Sequence, residues 1–87
     1  MSGQVFVYAL STCPWCRKTK QFFTDRGVPF DFVDVDQVDD DEGDRLADEA
    51  YELSGSRAYP VVRIDDEVVV GYAPEKYRRL LGLPEGF

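Results

Sequence analysis

The stretch Gln4-Val5-Phe6-Val7-Tyr8-Ala9-Leu10 is a nearly unbroken apolar run that stops abruptly at Ser11-Thr12-Cys13-Pro14. A strand exposed on one side would alternate apolar with polar residues, so a continuous run predicts a strand buried on both faces. Such a strand needs cover above and below, which points to a sheet sandwiched between helices. The next residues begin to supply that cover. Polar cap candidates and a proline suited to a first helical turn start a helix that reaches about Arg26. Cys16, Thr19 and Phe23 fall near one face of it, Phe22 lies beside them, and Gly27 is the C-terminal stop.

Pro29 opens a second strand through Val35, in which Phe30, Phe32 and Val33 mix with Asp31 and Asp34; this partial alternation predicts one less buried face. The run Asp39-Asp40-Asp41-Glu42-Gly43-Asp44 suits the start of another helix, because carboxylates favour the positive end of the macrodipole. Leu46, Ala50 and Leu53 form its apolar stripe, and Ser54-Gly55-Ser56 ends it. Pro60 to Ile64 and Glu67 to Val70 are two strands around the short turn Asp65-Asp66, an antiparallel hairpin. A last helix starts at Pro74, buries Tyr77, Leu80 and Leu81, and stops at Gly82. The order is β-α-β-α-β-β-α: an α/β domain with a parallel βαβ start and a four-stranded mixed sheet flanked by helices. No internal repeat or linker interrupts it, and residues 1–87 are expected to form a single domain. Phe6, Phe22, Phe23, Phe30, Phe32, Leu46 and Leu80 are the expected core; Tyr8 fits either core or groove wall.

Composition narrows the function. The chain has 87 residues, 44% hydrophobic and 14% aromatic, too apolar for a disordered polymer despite its 31% charged residues. Its net charge of −7 disfavours nucleic acid as a partner, since phosphate contacts need clustered cations. No apolar run approaches the ~20 residues of a membrane span, and the N-terminus lacks a basic-then-apolar signal pattern. A cytoplasmic monomer without membrane attachment is therefore expected. With no histidine anywhere, neither a Cys-His nor a Ser-His-Asp nucleophile is available. Asp outnumbers Glu and Arg outnumbers Lys, a bias that would suit a salt-adapted cytoplasm.

The only cysteines are Cys13 and Cys16, in the run Cys13-Pro14-Trp15-Cys16. A bridge between positions three apart closes almost no loop, so stapling the fold is a poor use for it. Thiol–disulfide exchange is a better one. It proceeds by thiolate attack, and a cysteine opening a helix meets unpaired backbone N–H groups and the positive dipole end. Cys16, one turn on, shares its helix face and sits where it can resolve a mixed disulfide formed at Cys13. Arg17, Lys18 and Lys20 follow directly and would favour the anionic sulfur or attract a carboxylate-bearing partner. Both cysteines lie at the carboxyl end of the first strand, where open α/β sheets tend to place their chemistry. Metal or iron–sulfur binding through the pair is the alternative. It would need a dimer sharing two pairs, or a bridged cluster, to complete a coordination shell.

Charge is segregated along the chain. Residues 31–52 hold eleven acids against one base, Arg45, a net −10, which leaves the remainder at +3. The acidic run from Asp39 to Asp44 lacks calcium-loop spacing, so a solvated helix entrance is expected there.

Taken together, the strand, the C-P-W-C run, Tyr59-Pro60-Val61, the hairpin and the closing helix resemble a glutaredoxin, of the thioredoxin-fold superfamily, over nearly the whole chain. The resemblance implies a cis-proline at Pro60 facing the active site, with Tyr59 at the rim of a substrate groove. It implies support at the cysteine pair from Thr12, Pro14, Trp15 and Arg17, with Trp15 a largely exposed partner contact. It also implies substrate binding by Arg57, Tyr59, Pro60, Gly71 and Tyr72. Glutathione-binding members usually carry a lysine three positions before the first cysteine, where this chain has Leu10. They also carry a Gly-Gly or Gly-Cys pair and an aspartate after the fourth strand, where this chain has Gly71-Tyr72-Ala73-Pro74. Arg57 matches a position that contacts a glycine carboxylate. The chain equally resembles short redoxins that serve ribonucleotide reductase and take electrons from another reductase. The implied function is a cytoplasmic electron carrier in cell redox homeostasis. Its substrate would be a disulfide-bearing protein or a small thiol, and it needs no bound cofactor. Glutathione, another small thiol or a reductase would be the electron donor.

Overall fold

The computed structural model describes residues 4–82. Its elements are β1 (Val5–Ala9), α1 (Pro14–Asp25), β2 (Asp31–Asp34), α2 (Asp40–Ser54), β3 (Val61–Ile64), β4 (Glu67–Val70) and α3 (Pro74–Leu81). This is the expected order, and the strands form one mixed sheet in the order β2-β1-β3-β4. β1 is parallel to β2 and antiparallel to β3, which pairs antiparallel with β4. The apolar first strand is therefore interior, hydrogen-bonded on both sides.

Its pleat divides the core in two. Val5, Val7 and Ala9 point to one face with Val62, Ile64 and Val69, where α1 and α3 supply Cys16, Phe22, Phe23 and Tyr77. Tyr8, with Phe6 packed alongside, points to the other face, where Val61 meets Leu46 and Ala50 of α2. Tyr8 is thus core. Burial raises the pKa of its phenol above the usual value, and the nearby Glu49 carboxylate adds to this.

Four expectations need correction. The second strand covers only residues 31–34 rather than 29–35, and Phe32 is 49% exposed instead of buried. β2 is an edge strand, and Phe32 is flanked by the ammonium of Lys20, 4.0 Å from its ring centroid, and by the Phe30 ring at 6.1 Å rather than covered by a helix. Leu53 is 37% exposed, because the stripe of α2 turns away from the sheet after Ala50. Phe6, Phe30, Leu80 and Leu81 are half-buried and line the margins of the core. Finally, the polar cap of α1 is neither Ser11 nor Thr12 but Cys13 itself.

Both later helices end on a glycine in the left-handed region, Gly55 at φ 71° and Gly82 at φ 68°, as their sequence stops predict. Gly43 has a different reason. A Cβ there would lie 2.7 Å from the Val35 carbonyl oxygen, so the start of α2 can approach the end of β2 only without a side chain. Among the described residues no helix is long and apolar enough to cross a membrane.

Candidate active site

The turn between β1 and α1 is fixed from three directions. Cys13 N–H donates to the Leu10 carbonyl at 3.1 Å and Arg17 N–H to the Cys13 carbonyl at 3.2 Å. Ser11 donates from its backbone N–H (2.9 Å) and its hydroxyl (2.7 Å) to the Asp36 carboxylate, tying the turn to the segment after β2. These hydrogen bonds hold the Asp36 carboxyl below its ordinary pKa. Pro14 occupies the first helical position, where a missing N–H costs nothing.

The two sulfurs have unlike surroundings. Cys13, with extended backbone (φ −86°, ψ 116°), is the N-cap of α1, and its Sγ accepts from the Cys16 N–H at 3.3 Å. It is half-buried and borders solvent. Cys16 has no exposure at all; its Sγ accepts from the Leu10 N–H at 3.5 Å. Burial, reinforced by its hydrogen bond to the Cys13 sulfur, pushes the Cys16 thiol up to about 12. One sulfur faces outward against a peptide N–H, and its neighbour stays protonated beneath it.

A rim of aromatic and loop residues surrounds the pair. Trp15 is 55% exposed and stacks on Tyr72, with centroids 6.0 Å apart and planes 23° from parallel. The Tyr59–Pro60 peptide bond is cis, as the resemblance implied. Pro60 is buried, and Tyr59 is half-buried, packed against both core clusters. The Tyr59 phenol has a raised pKa, mainly through desolvation. Gly71, at φ 88°, donates its N–H to the Pro60 carbonyl at 2.7 Å, so the loop after β4 is locked to the cis-proline loop.

Tyr77 carries a role that sequence reasoning missed. It was expected only as core, yet its fully buried hydroxyl donates to the Gly71 carbonyl at 2.5 Å. It lies 3.4 Å from the Thr19 hydroxyl, which is left to act as donor to it. Desolvation raises the pKa of this phenol. A chain of contacts thus runs from α1, one turn below Cys16, through α3 to Gly71 and Pro60. A buried tyrosine needs a partner for its hydroxyl, and that rule was the one available signal; the partner's identity depended on the fold.

The other expected residues have contacts of their own. Lys20 pairs with Asp34, 2.9 Å away, and lies over Phe32, while its charge still favours the anionic form of Cys16 slightly against the larger effect of burial. Lys18 Nζ sits 5.8 Å from the Trp15 ring centroid. Arg57 places its guanidinium 4.5 Å from the ring centroid of Tyr51 on α2. Thr12 and Arg17 are exposed. Among the described residues no group of three or more Cys, Asp or Glu side chains is arranged to hold a metal ion.

A thioredoxin-like fold with a half-exposed cysteine capping a helix, a buried partner one turn on and a cis-proline ahead of β3 defines a dithiol redox protein. Comparison with known proteins gives the family. A family profile described as Glutaredoxin matches residues 5–69, and the chain belongs to the glutaredoxin family. A glutaredoxin-like 8.6 kDa protein of the Clostridium pasteurianum rubredoxin operon is 37% identical over 75 residues, covering 86% of this chain and 93% of the relative. The glutaredoxin-like protein NrdH of Escherichia coli K12 is 31% identical, with 93% of each chain covered. Among solved structures, Methanosarcina acetivorans methanoredoxin superposes with a TM-score of 0.87 at 35% identity, covering 93% of this chain and 86% of that one. A glutaredoxin of Archaeoglobus fulgidus gives 0.84 at 36%, covering 90% and 85%. The activity is glutaredoxin-like thiol–disulfide oxidoreduction through the close Cys13–Cys16 pair.

Proposed function

We propose that Cys13 attacks and Cys16 resolves, in a two-electron reduction of protein disulfides. The unequal burial of the two sulfurs carries this order, because a disulfide can reach Cys13 but not the sealed Cys16. The Cys13 thiolate attacks one sulfur of the substrate, forming a mixed disulfide and expelling the other sulfur as thiolate. Cys16 then gives up its proton and attacks the Cys13 sulfur. The Cys13–Cys16 bridge forms, and the second substrate sulfur leaves as a thiol. The substrate gains two electrons and the protein loses them. Through its hydrogen bond to the Cys13 sulfur, the Cys16 thiol is already lined up for the second step.

Cys13→Ser is expected to abolish exchange, since no other cysteine is present to attack. Cys16→Ser is expected to accumulate a mixed disulfide visible as a mass adduct. A Cys13→Ser variant that reduced disulfides at the wild-type rate would falsify the order.

For the donor, a protein reductase is favoured over glutathione. Leu10 stands where the family lysine would be, and the one matching anchor, Arg57, is stacked on Tyr51. A solved structure of the E. coli NrdH relative is described as showing the basis of a thioredoxin-like activity profile in that protein, in line with this choice. Turnover with NADPH and thioredoxin reductase should exceed turnover with glutathione and glutathione reductase. The reverse ranking would restore glutathione as donor.

A further inference from the structure

Beside the active site runs a groove of about 320 Å³ between α1 and α3, floored by Phe22 and flanked by Lys18, Arg26 and Arg78. Tyr72, which stacks on Trp15 at the cysteine end, is one of its walls, so the groove is continuous with the rim of the site. The Arg26 guanidinium lies flat over the Phe22 ring at 3.9 Å. Two acids belong to the same surface. Asp25 accepts from the Gln21 side-chain amide at 2.7 Å, and Glu75 pairs with Arg78 at 2.9 Å. The Glu75 side chain is 76% exposed and that of Arg78 only 15%, so a peptide carboxylate in the groove would share Arg78 with Glu75.

The charge of the whole face agrees with its groove. α1 with its C-cap, together with α3, carries seven cations against two acids, whereas α2 on the opposite face carries seven acids against Arg45. An acidic protein of net −7 thus keeps seven of its ten cations on α1, its cap and α3. Such an arrangement repels generic cationic partners and steers an anionic one toward the reactive end.

We propose that this groove docks an acidic peptide segment flanking the cysteine of a protein disulfide substrate. The proposal rests on the thiol–disulfide order argued above. Lys18 and Arg26 are eight positions apart on the helix and its cap, a rise of about 12 Å, and Lys18 lies about 7 Å along the axis from Cys13. An extended peptide at about 3.3 Å per residue then places its carboxylates roughly two to six residues from its reactive cysteine.

The test mixes reduced protein with the symmetric disulfide of a short peptide whose single cysteine is flanked on both sides by Asp and Glu, or with a twin carrying Asn and Gln. Single-turnover rates are followed by Trp15 fluorescence. The acidic twin should react about tenfold faster at low ionic strength, and the advantage should vanish in concentrated salt. Arg78→Gln should shrink that advantage several-fold while leaving reduction of bis(2-hydroxyethyl) disulfide unchanged. Equal rates for the twins, with the small disulfide reduced normally, would overturn the docking alone. Failure to reduce the small disulfide would overturn the redox order and the docking with it.

A non-reactive acidic peptide, its cysteine replaced by serine, gives a second readout by NMR titration. Amide shifts at Lys18, Gln21, Arg26, Tyr72 and Arg78 support the groove. Shifts elsewhere, or groove shifts that appear with protein concentration alone because a second copy's α2 fills it, overturn the peptide as occupant.

Discussion

On one face of the sheet, α1 and α3 bury an interlocked aromatic group: Tyr77 lies 5.2 Å from Phe23 and 5.4 Å from Phe22, centroid to centroid. On the other, α2 covers Tyr8 and Val61 with little more than Leu46 and Ala50, and presents a row of carboxylates to solvent. The two faces share every strand but not the same task. Chemistry sits where the packing is tight, because the Cys13 cap, the Cys16 burial and the Gly71–Pro60 lock all depend on α1 and α3 holding position. The α2 face tolerates exposure at Leu53 and Tyr51 because nothing at the sulfurs hangs from it directly.

Truncation offers the most forceful way to break this comparison. Phe23→Ala should cost about 3–5 kcal/mol and Leu46→Ala about 2–3 kcal/mol, read from denaturant midpoints. Equal losses would mean the faces are equally packed. Gly43→Ala would ordinarily stabilise a helix by about 1 kcal/mol. Here the new Cβ meets the Val35 carbonyl, so a net loss of about 1–2 kcal/mol is expected in thermal unfolding. A rise in melting temperature would contradict the close approach.

Tyr77→Phe keeps the ring and removes only the hydroxyl, leaving the Gly71 carbonyl without its donor. A loss of about 1 kcal/mol is expected, together with altered Trp15 fluorescence, since Gly71 precedes the Tyr72 ring that stacks on Trp15. Unchanged emission would detach Tyr77 from the site.

At neutral pH the smallest effect is the protonation of Cys16, which matters only in alkali. Its folded pKa of about 12 lies above the unfolded value near 9. The buried thiol's contribution is therefore complete below pH 9 and is lost progressively as pH rises toward 12, because the unfolded chain ionises first. Wild-type stability should fall across that window more steeply than that of Cys16→Ala; parallel curves would remove the argument from burial.

Most of this fold was legible along the chain because its signals are local. The apolar run of β1, the proline and glycine that bracket α1, and the acids that open α2 each act within a few residues. The cysteine pair was legible for the same reason: a helix N-terminus and a spacing of three are local facts. Exposure at Phe32 and Leu53 was not, because an edge position and the angle of a helix on a sheet are set by distant partners. Arg57 illustrates the limit as well: no local signal foretold that its guanidinium would rest on Tyr51 of α2.

From the order and identity of its residues alone, this chain had to place two thiols where strand passes into helix, since dipole, cap and turn are written in adjacent positions. Only the folded structure decided that one thiol would be sealed and the other open. Solvent exposure is a property of what packs from elsewhere, here the sheet and α3. It likewise decided that Tyr77 would brace the cis-proline loop and that the cations of two separate helices would border a single groove.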